Sequence, residues 1–242
     1  LIITFCESFF VYLFIIFVII GLVIKMRLRK VQGAKDLISD YPGYISDNQD
    51  NSNVDLHSIF DNNNPVHLEI GMGKGQFIYT LAKTNPNINY VGVERFDSVI
   101  VRALEKMIDE PLNNLFLIRT DAVDLTKLFS DNSFDRIYLN FSDPWPKDRH
   151  AKRRLTHKSF LKMYQRLLKK QKELHFKTDN KLLFESSVMQ IMNYPMEIKF
   201  ITTDLHKSDI KDNIMTEFEE KFSALGNSIN KIIAVFKEDS NG

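Results

Sequence analysis

With 242 residues, 44% of them hydrophobic, the chain has room for one α/β domain with a sizeable core and not for two comfortable ones. Its single cysteine, Cys6, excludes an internal disulfide framework and a cysteine-rich metal site, and suits a reducing compartment. A formal net charge of +1 excludes a uniformly basic chain, so any nucleic-acid surface has to come from local clustering.

Residues 1–25 read differently from the rest. From Phe9 to Ile24 every residue is apolar or glycine, and Lys25, Arg27, Arg29 and Lys30 follow at once. Length and flanking charge fit a marginal transmembrane helix with a cytoplasmic basic end. Yet the chain opens on Leu1, while Met26 begins a soluble-looking M-R-L-R-K, so we expect an apolar extension that is no part of the functional fold. Residues 26–64 form a basic segment and a linker rich in Asn, Asp and Ser, with one short apolar helix around Val54 to Phe60.

From Pro65 onward strands and helices alternate with short punctuation, the pattern of a doubly wound, mostly parallel α/β sheet. Strands are predicted at Val66–Ile70, Asn89–Val93, Leu115–Arg119, Arg136–Asn140, Glu173–Lys177, Glu197–Thr202 and Lys231–Phe236. Helical periodicity marks Gln76–Thr84, Phe96–Ile108, His157–Lys170 and a segment near Leu182–Met192.

The run His67 to Phe77, H-L-E-I-G-M-G-K-G-Q-F, joins the first of these strands to a glycine turn and a helix start. Such a turn lets a ligand approach the main chain at the carboxyl end of a parallel strand. A hydride-transfer dinucleotide site asks for G-x-G-x-x-G, but Gln76 stands where the third glycine belongs and Glu69 precedes Gly71 by two residues. That carboxylate would repel a diphosphate and attract the sulfonium and ammonium of S-adenosylmethionine. Gly71 and Gly73 would then face the same cofactor.

Two further strands also end in acids: Glu94 in Y-V-G-V-E and Asp121 in I-R-T-D-A. In an open α/β sheet the three carboxylates converge on one crevice, with Glu94 suited to two ribose hydroxyls and Asp121 to an adenine amino group. The plainer alternative for any one of them is a turn or a helix cap. After the fourth strand comes N-F-S-D-P-W-P-K, which reads either as a stiff, carboxylate-presenting loop or as a rigid turn with Trp145 plugging the core.

Taken with K-D-R-H-A-K-R-R, H-F-K-T-D-N and N-I-M-T-E-F-E-E-K-F, this loop makes the chain closely resemble the bacterial tRNA (guanine-N7)-methyltransferases, from Met26 almost to the C-terminus. The resemblance implies a Rossmann-like, S-adenosylmethionine-dependent enzyme, cytoplasmic, with 65–238 as its methyltransferase domain. Its activity would be methylation of a tRNA guanosine at N7, in the variable loop, forming 7-methylguanosine. It implies cofactor binding by Glu69, Glu94, Asp121 and Asp143, with Asp143 also catalytic. Lys147, Asp179 and the run Thr216, Glu217, Phe218, Glu219 would bind substrate, and Arg149, His150, Ala151, Lys152, Arg153 and Arg154 would contact RNA. It also implies tRNA as the partner; the residues themselves point to no metal and, with the apolar N-terminus read as an extension, away from a membrane, and leave monomer or homodimer open.

Guanine N7 carries a lone pair and no proton, so its methylation demands positioning and not a general base. A fixed carboxylate at Asp143 can stabilise the cation that develops on the purine. Guanine N1–H and N2 are adjacent donors that Asp179, Glu217 or Glu219 could read. T-E-F-E-E-K-F is equally a capped amphipathic helix, with Thr216 as cap and Phe218 and Phe222 inward. Five fixed cations between Lys147 and Arg154 are an RNA clamp if they sit beside Asp143, and otherwise a solvated turn. The remaining histidines, His57, His67, His157, His175 and His206, lack metal-ligand spacing. Two rival readings are methylation of an exocyclic base amine, and a membrane-anchored protein that only senses the cofactor.

Overall fold

The computed structural model describes residues 33–47 and 53–237; the expectations for residues 1–25 and for the basic segment up to Lys30 lie outside them. Eight strands form one sheet in the order β1-β4-β3-β2-β5-β6-β8-β7. They are β1 (Ile45–Ser46), β2 (Val66–Ile70), β3 (Asn89–Glu94), β4 (Leu115–Arg119), β5 (Phe134–Asn140), β6 (Leu168–Thr178), β7 (Met196–Thr202) and β8 (Asn230–Phe236). The pairs from β1 through β6 are parallel, and β8 runs antiparallel between β6 and β7.

The sheet is covered on both faces, which is why β2 and β3 are buried at every position and read as near-continuous apolar runs. On one face lie α1 (Ala34–Asp40), α3 (Gln76–Thr84) and α4 (Asp97–Asp109), packing Ile38, Ile78, Ala82, Ile100, Ala103 and Leu104 around Tyr90, Leu115 and Leu117. On the other lie α2 (Leu56–Phe60), α5 (Leu125–Leu128), α6 (Lys158–Leu167) and α7 (Lys181–Met192) over Leu68, Ile137, Leu139, Phe176 and Ile232. The last helix, α8 (Glu217–Ala224), lies in the connection between β7 and β8. No helix of the described residues is long and apolar enough to cross a membrane.

All seven expected strands are present. Among the elements not anticipated are the short α5 and, before residue 65, α1 and β1, which together bury Ile38 and Ile45 and add an edge strand beside β4. So the sheet itself begins N-terminal to residue 65. The helix expected to reach Lys170 stops at Leu167, and Leu168 already pairs with Phe134. Strand pairing overrides the helical pattern there, and Lys169 is drawn to Asp135 at 2.7 Å.

Consecutive strands leave β2 in one direction, through β3 and β4, while β5 and β6 line up on its other side. The crevice at this switch point opens at the carboxyl ends of β2 and β5. Its glycine turn is fixed by packing as well as by conformation. At Gly75, with φ +73, an added Cβ would stand 2.6 Å from Ala103 Cβ on α4. Gly75→Ala should therefore cost about 1–3 kcal/mol through overpacking and a strained backbone. A urea midpoint unchanged from that of the parent protein would contradict this packing.

Candidate active site

The turn after β2 is tied to β3 before any ligand arrives. The N–H groups of Gly71 and Met72 donate to Val93 O at 2.8 and 3.0 Å, and Gly73 N–H donates to Glu94 Oε2 at 3.2 Å. Glu94 Oε1 accepts from the N–H groups of Arg95 and Phe96 at 2.9 and 3.1 Å. Burial pushes the Glu94 carboxyl up, and these three N–H groups pull it back. Glu94 thus staples the glycine turn and keeps lone pairs beyond those three bonds. The N-cap of α3 is Gly75, which has no side chain to offer, and the Ile78 N–H of its first turn is directed at the Glu69 carboxyl.

At the switch point Asn140 Nδ2 donates to Glu69 Oε1 at 2.8 Å, joining the ends of β2 and β5. Glu69 is only 2% exposed, and its Oε2 has no partner among the described residues. Asn140 Oδ1 and Ser142 Oγ are buried and unpartnered as well. Arg136 Nε and Tyr164 Oη are orphaned elsewhere, so it is the cluster of such atoms at and just after the carboxyl ends of β2 and β5 that suits a polar ligand. Burial pushes Glu69 up to about 8, with Asn140 and Lys177 opposing. Asp121 lies at the end of the same row of acids and accepts from Val123 N–H at 3.2 Å, capping a short 3-10 turn. Arg95 approaches it at 3.8 Å.

The loop after β5 is held at both ends. Phe141 has φ +49 and Trp145 φ +41, left-handed conformations that cost a non-glycine residue about 1–3 kcal/mol each unless the surroundings impose them. Phe141 N–H donates to Lys177 O at 2.9 Å. Trp145 is half-buried, not a core plug. Its ring meets the edge of His150 and carries the Arg153 guanidinium 4.9 Å above it. Between these ends Asp143 stands exposed.

The cationic run forms a 3-10 helix, Asp148–Arg153, directly after that loop. Lys147, Arg149, Lys152 and Arg153 are exposed, and His150 and Ala151 are half-buried. Arg154 behaves differently. It turns inward, its guanidinium donating to the carbonyls of Pro144 and Trp145 and to Ser186 Oγ on α7.

The far wall is built on one buried ion pair. Lys177 Nζ donates to Glu219 Oε2 at 2.7 Å, with side chains only 3% and 0% exposed. Its other donors go to Asn213 Oδ1 and Ile214 O, while Glu219 Oε1 accepts from Asn213 Nδ2 at 2.6 Å and lies 3.1 Å from His206 Nε2. Burial pushes Lys177 down and Glu219 pulls it back. The expectation that Glu219 could read a guanine edge meets a different geometry: both its oxygens are already engaged, anchoring α8 to β6. Thr216 caps α8 by accepting from Glu219 N–H at 3.0 Å. Glu217 faces out and pairs with Lys74 of the glycine turn at 3.1 Å. Phe218 is 48% exposed, not inward, and stacks between Phe141 and Phe222. Asp179 is half-buried just past the carboxyl end of β6.

Asn140 and Lys177 were not singled out from the sequence. Each sits on a buried strand, and its partner is distant in the chain: Glu69 on β2 for Asn140, and Glu219 on α8 for Lys177. Among the described residues no group of three or more His, Cys, Asp or Glu is placed to hold a metal ion.

An open sheet with one reversed strand, a glycine turn at its switch point and acids at successive strand ends defines a Rossmann-like methyltransferase. Solved structures share this fold: a 16S rRNA methyltransferase (TM-score 0.60, 10% identity, covering 77% of this chain and 95% of that one) and an antibiotic-related methyltransferase (TM-score 0.56, 19% identity, 76% and 96%). A family model described as putative methyltransferase matches residues 63–232. A protein of Bacillus cytotoxicus is 50% identical over 214 residues, 88% of this chain and 99% of its own. One from a Geobacillus species is 50% identical over 204 residues, 84% and 93%. Both are named tRNA (guanine-N(7)-)-methyltransferase, and the chain belongs to that bacterial family of methyltransferases.

Two measurements probe the site without a ligand. Removing one partner of a buried ion pair costs about 3–5 kcal/mol, so Lys177→Met or Glu219→Leu alone should lose that much and the double variant should recover most of it. Additive losses in urea unfolding would contradict the pairing. Glu69 gives a pH signature. Its folded value of about 8 exceeds the ordinary 4.5, so the unfolded chain releases the proton first and stability falls as pH rises between the two. Glu69→Gln should therefore gain on the parent protein by up to about 1.4 kcal/mol per pH unit in that window. His67 and His175, buried and pushed down to about 3 and 4, act oppositely, losing stability as pH falls below 6.5, and cancel in the comparison. A stability difference independent of pH would contradict the buried, neutral Glu69.

Proposed function

We propose that the protein transfers a methyl group from S-adenosylmethionine to N7 of a guanosine in tRNA, in the variable loop, forming 7-methylguanosine in the cytoplasm. The observation that carries the proposal is the unpartnered Glu69 Oε2, buried near the carboxyl end of β2 where the strand order reverses, with Asp143 in the loop that follows the neighbouring β5. A buried carboxyl with one free oxygen suits a cationic ligand, which favours its ionised form. The names of relatives at 50% identity support guanine N7 and tRNA as the target.

The residues present fit the cofactor. Glu69, Asn140 and Ser142 offer orphaned polar atoms, Gly71 and Gly73 offer main chain, and Glu94 and Asp121 offer carboxylates along the same edge. The N–H groups of Gln76 and Phe77, at a helix start whose N-cap is a glycine, suit the carboxylate of an amino acid moiety. When bound, the cofactor supplies an electrophilic methyl group on a sulfonium.

The chain's own part is then orientation and electrostatics. Asp143, presented by a loop fixed at both ends, stabilises positive charge on the purine. Asp179 and Glu217 read the N1–H and N2 edge, Glu217 by exchanging Lys74 for the base. Phe218 offers an exposed aromatic face for stacking beside Thr216, whose hydroxyl fixes the helix start. Glu219 serves substrate binding through its hold on α8. Lys147, Arg149, His150, Lys152 and Arg153, with the main chain at Ala151, form the phosphate-facing surface next to Asp143.

The test is to incubate the purified protein with isotopically labelled S-adenosylmethionine and unmodified tRNA and to identify the product by mass spectrometry. We expect label in 7-methylguanosine from the variable loop. Asp143→Ala should lose roughly a hundredfold or more in rate with its fold intact. Label in an exocyclic amine, or normal turnover by Asp143→Ala, would overturn the assignment.

A further inference from the structure

Arg154 closes the cationic run, yet its guanidinium is half-buried between the Asp143 loop and α7. Nε–H is shared between Pro144 O at 3.2 Å and Trp145 O at 3.3 Å, an Nη2 hydrogen goes to Trp145 O at 3.1 Å, and an Nη1 hydrogen goes to Ser186 Oγ at 2.9 Å. One planar fork thus ties the Asp143 loop to α7. Next to it Thr156 Oγ1 and Ser187 Oγ, both buried, meet at 2.7 Å, so the chain after Arg154 is fixed to the same helix. Among the described residues its partners are two carbonyls and a hydroxyl, none of them a carboxylate.

The loop needs such a hold. Trp145 keeps a left-handed backbone, costly for a bulky residue, and the carbonyl Arg154 grips twice is that of Trp145. The other strained end, Phe141, is fixed separately through Lys177 O. Asp143 lies between the two anchors. Lysine could not reproduce the brace, because a single ammonium cannot span two successive carbonyls and a hydroxyl in one plane.

We propose that Arg154 is a positioning residue for methyl transfer: it holds the Ser142–Trp145 loop, and with it Asp143, facing the crevice, and does not contact RNA phosphate. This places the boundary of the phosphate-facing surface at Arg153. The kinetic consequence rests on the function proposed above; the state of the loop does not.

Trp145 is the only tryptophan in the chain, so its fluorescence reports on this loop alone. The experiment compares Arg154→Ala, Arg154→Lys and Ser186→Ala with Arg149→Ala, by acrylamide quenching and anisotropy of Trp145 and by single-turnover methylation of tRNA over a range of salt. For Arg154→Ala we expect quenching to rise by about twofold and the methylation rate to fall roughly tenfold or more, because misplacement of a reacting group by an ångström is that costly. Its KM for tRNA should stay within about twofold and its salt dependence unchanged, since no phosphate contact is lost. Low concentrations of guanidinium chloride should restore part of the rate. Arg154→Lys and Ser186→Ala should shift Trp145 and the rate in the same direction by less. Arg149→Ala, which touches Trp145 only through His150, should move its fluorescence far less than Arg154→Ala does, weaken tRNA binding and reduce the salt slope by about one.

If Arg154→Ala leaves Trp145 unchanged, raises KM and flattens the salt slope, Arg154 is a phosphate contact and the proposal fails. If Arg154→Ala does not fold, Arg154→Lys and Ser186→Ala decide: unchanged quenching in both overturns the proposal. If the parent protein methylates no tRNA, the functional reading fails, and the quenching comparison still decides whether Arg154 holds the loop.

Discussion

A single hydrogen bond between Glu69 and Asn140 marks the place on which the site depends. It joins the two central strands where the chain leaves the sheet in opposite directions, and the crevice opens there for topological reasons. A carboxyl buried to 2% exposure with one oxygen satisfied is an expensive arrangement for a protein that only has to fold. Here it is stabilised by neutralisation, since burial pushes Glu69 up to about 8. The same feature makes the crevice receptive to a cation, because a positive ligand would supply the partner that Oε2 lacks.

The opposite wall solves a related problem differently. Lys177 and Glu219 are both charged groups out of contact with water, and they are kept so by mutual pairing and by hydrogen bonds to Asn213, Ile214 and His206. Buried pairs add little to stability over apolar residues of similar size, but they are strongly directional. This one fixes α8 against β6 and so sets where Glu217, Phe218 and Asp179 stand. Lys177 also receives the Phe141 N–H on its carbonyl, so the end of the Asp143 loop and the start of α8 share one residue. Strain at Phe141 and Trp145 is then confined between this anchor and Arg154.

Much of this was legible in the sequence because the central strands are buried on both faces and announce themselves as apolar runs. The glycine turn, Glu69, Glu94 and Asp121 fell where an open sheet would put them, and the ordered motifs carried the family. Other features depend on partners distant in the chain. Glu219 resembles an exposed member of an acidic helix start until Lys177, 42 residues away, is seen beside it. Arg154 is indistinguishable in sequence from Arg153, and only the carbonyls of the loop and Ser186 separate their tasks. The early stop of α6 at Leu167 reflects pairing with Phe134, which helical periodicity cannot register. The two-residue strand β1 is too short to carry any pattern.

The central claim is that a buried, half-satisfied acid at the switch of the sheet receives the positive end of a methyl donor. A crystal structure of the protein with S-adenosylmethionine tests it most directly. The account predicts the amino acid ammonium against Glu69 Oε2 and the nucleoside along the edge marked by Glu94 and Asp121. A donor bound away from the crevice between Gly71 and Asn140, or turned so that Glu69 still lacks a cationic partner, would contradict it.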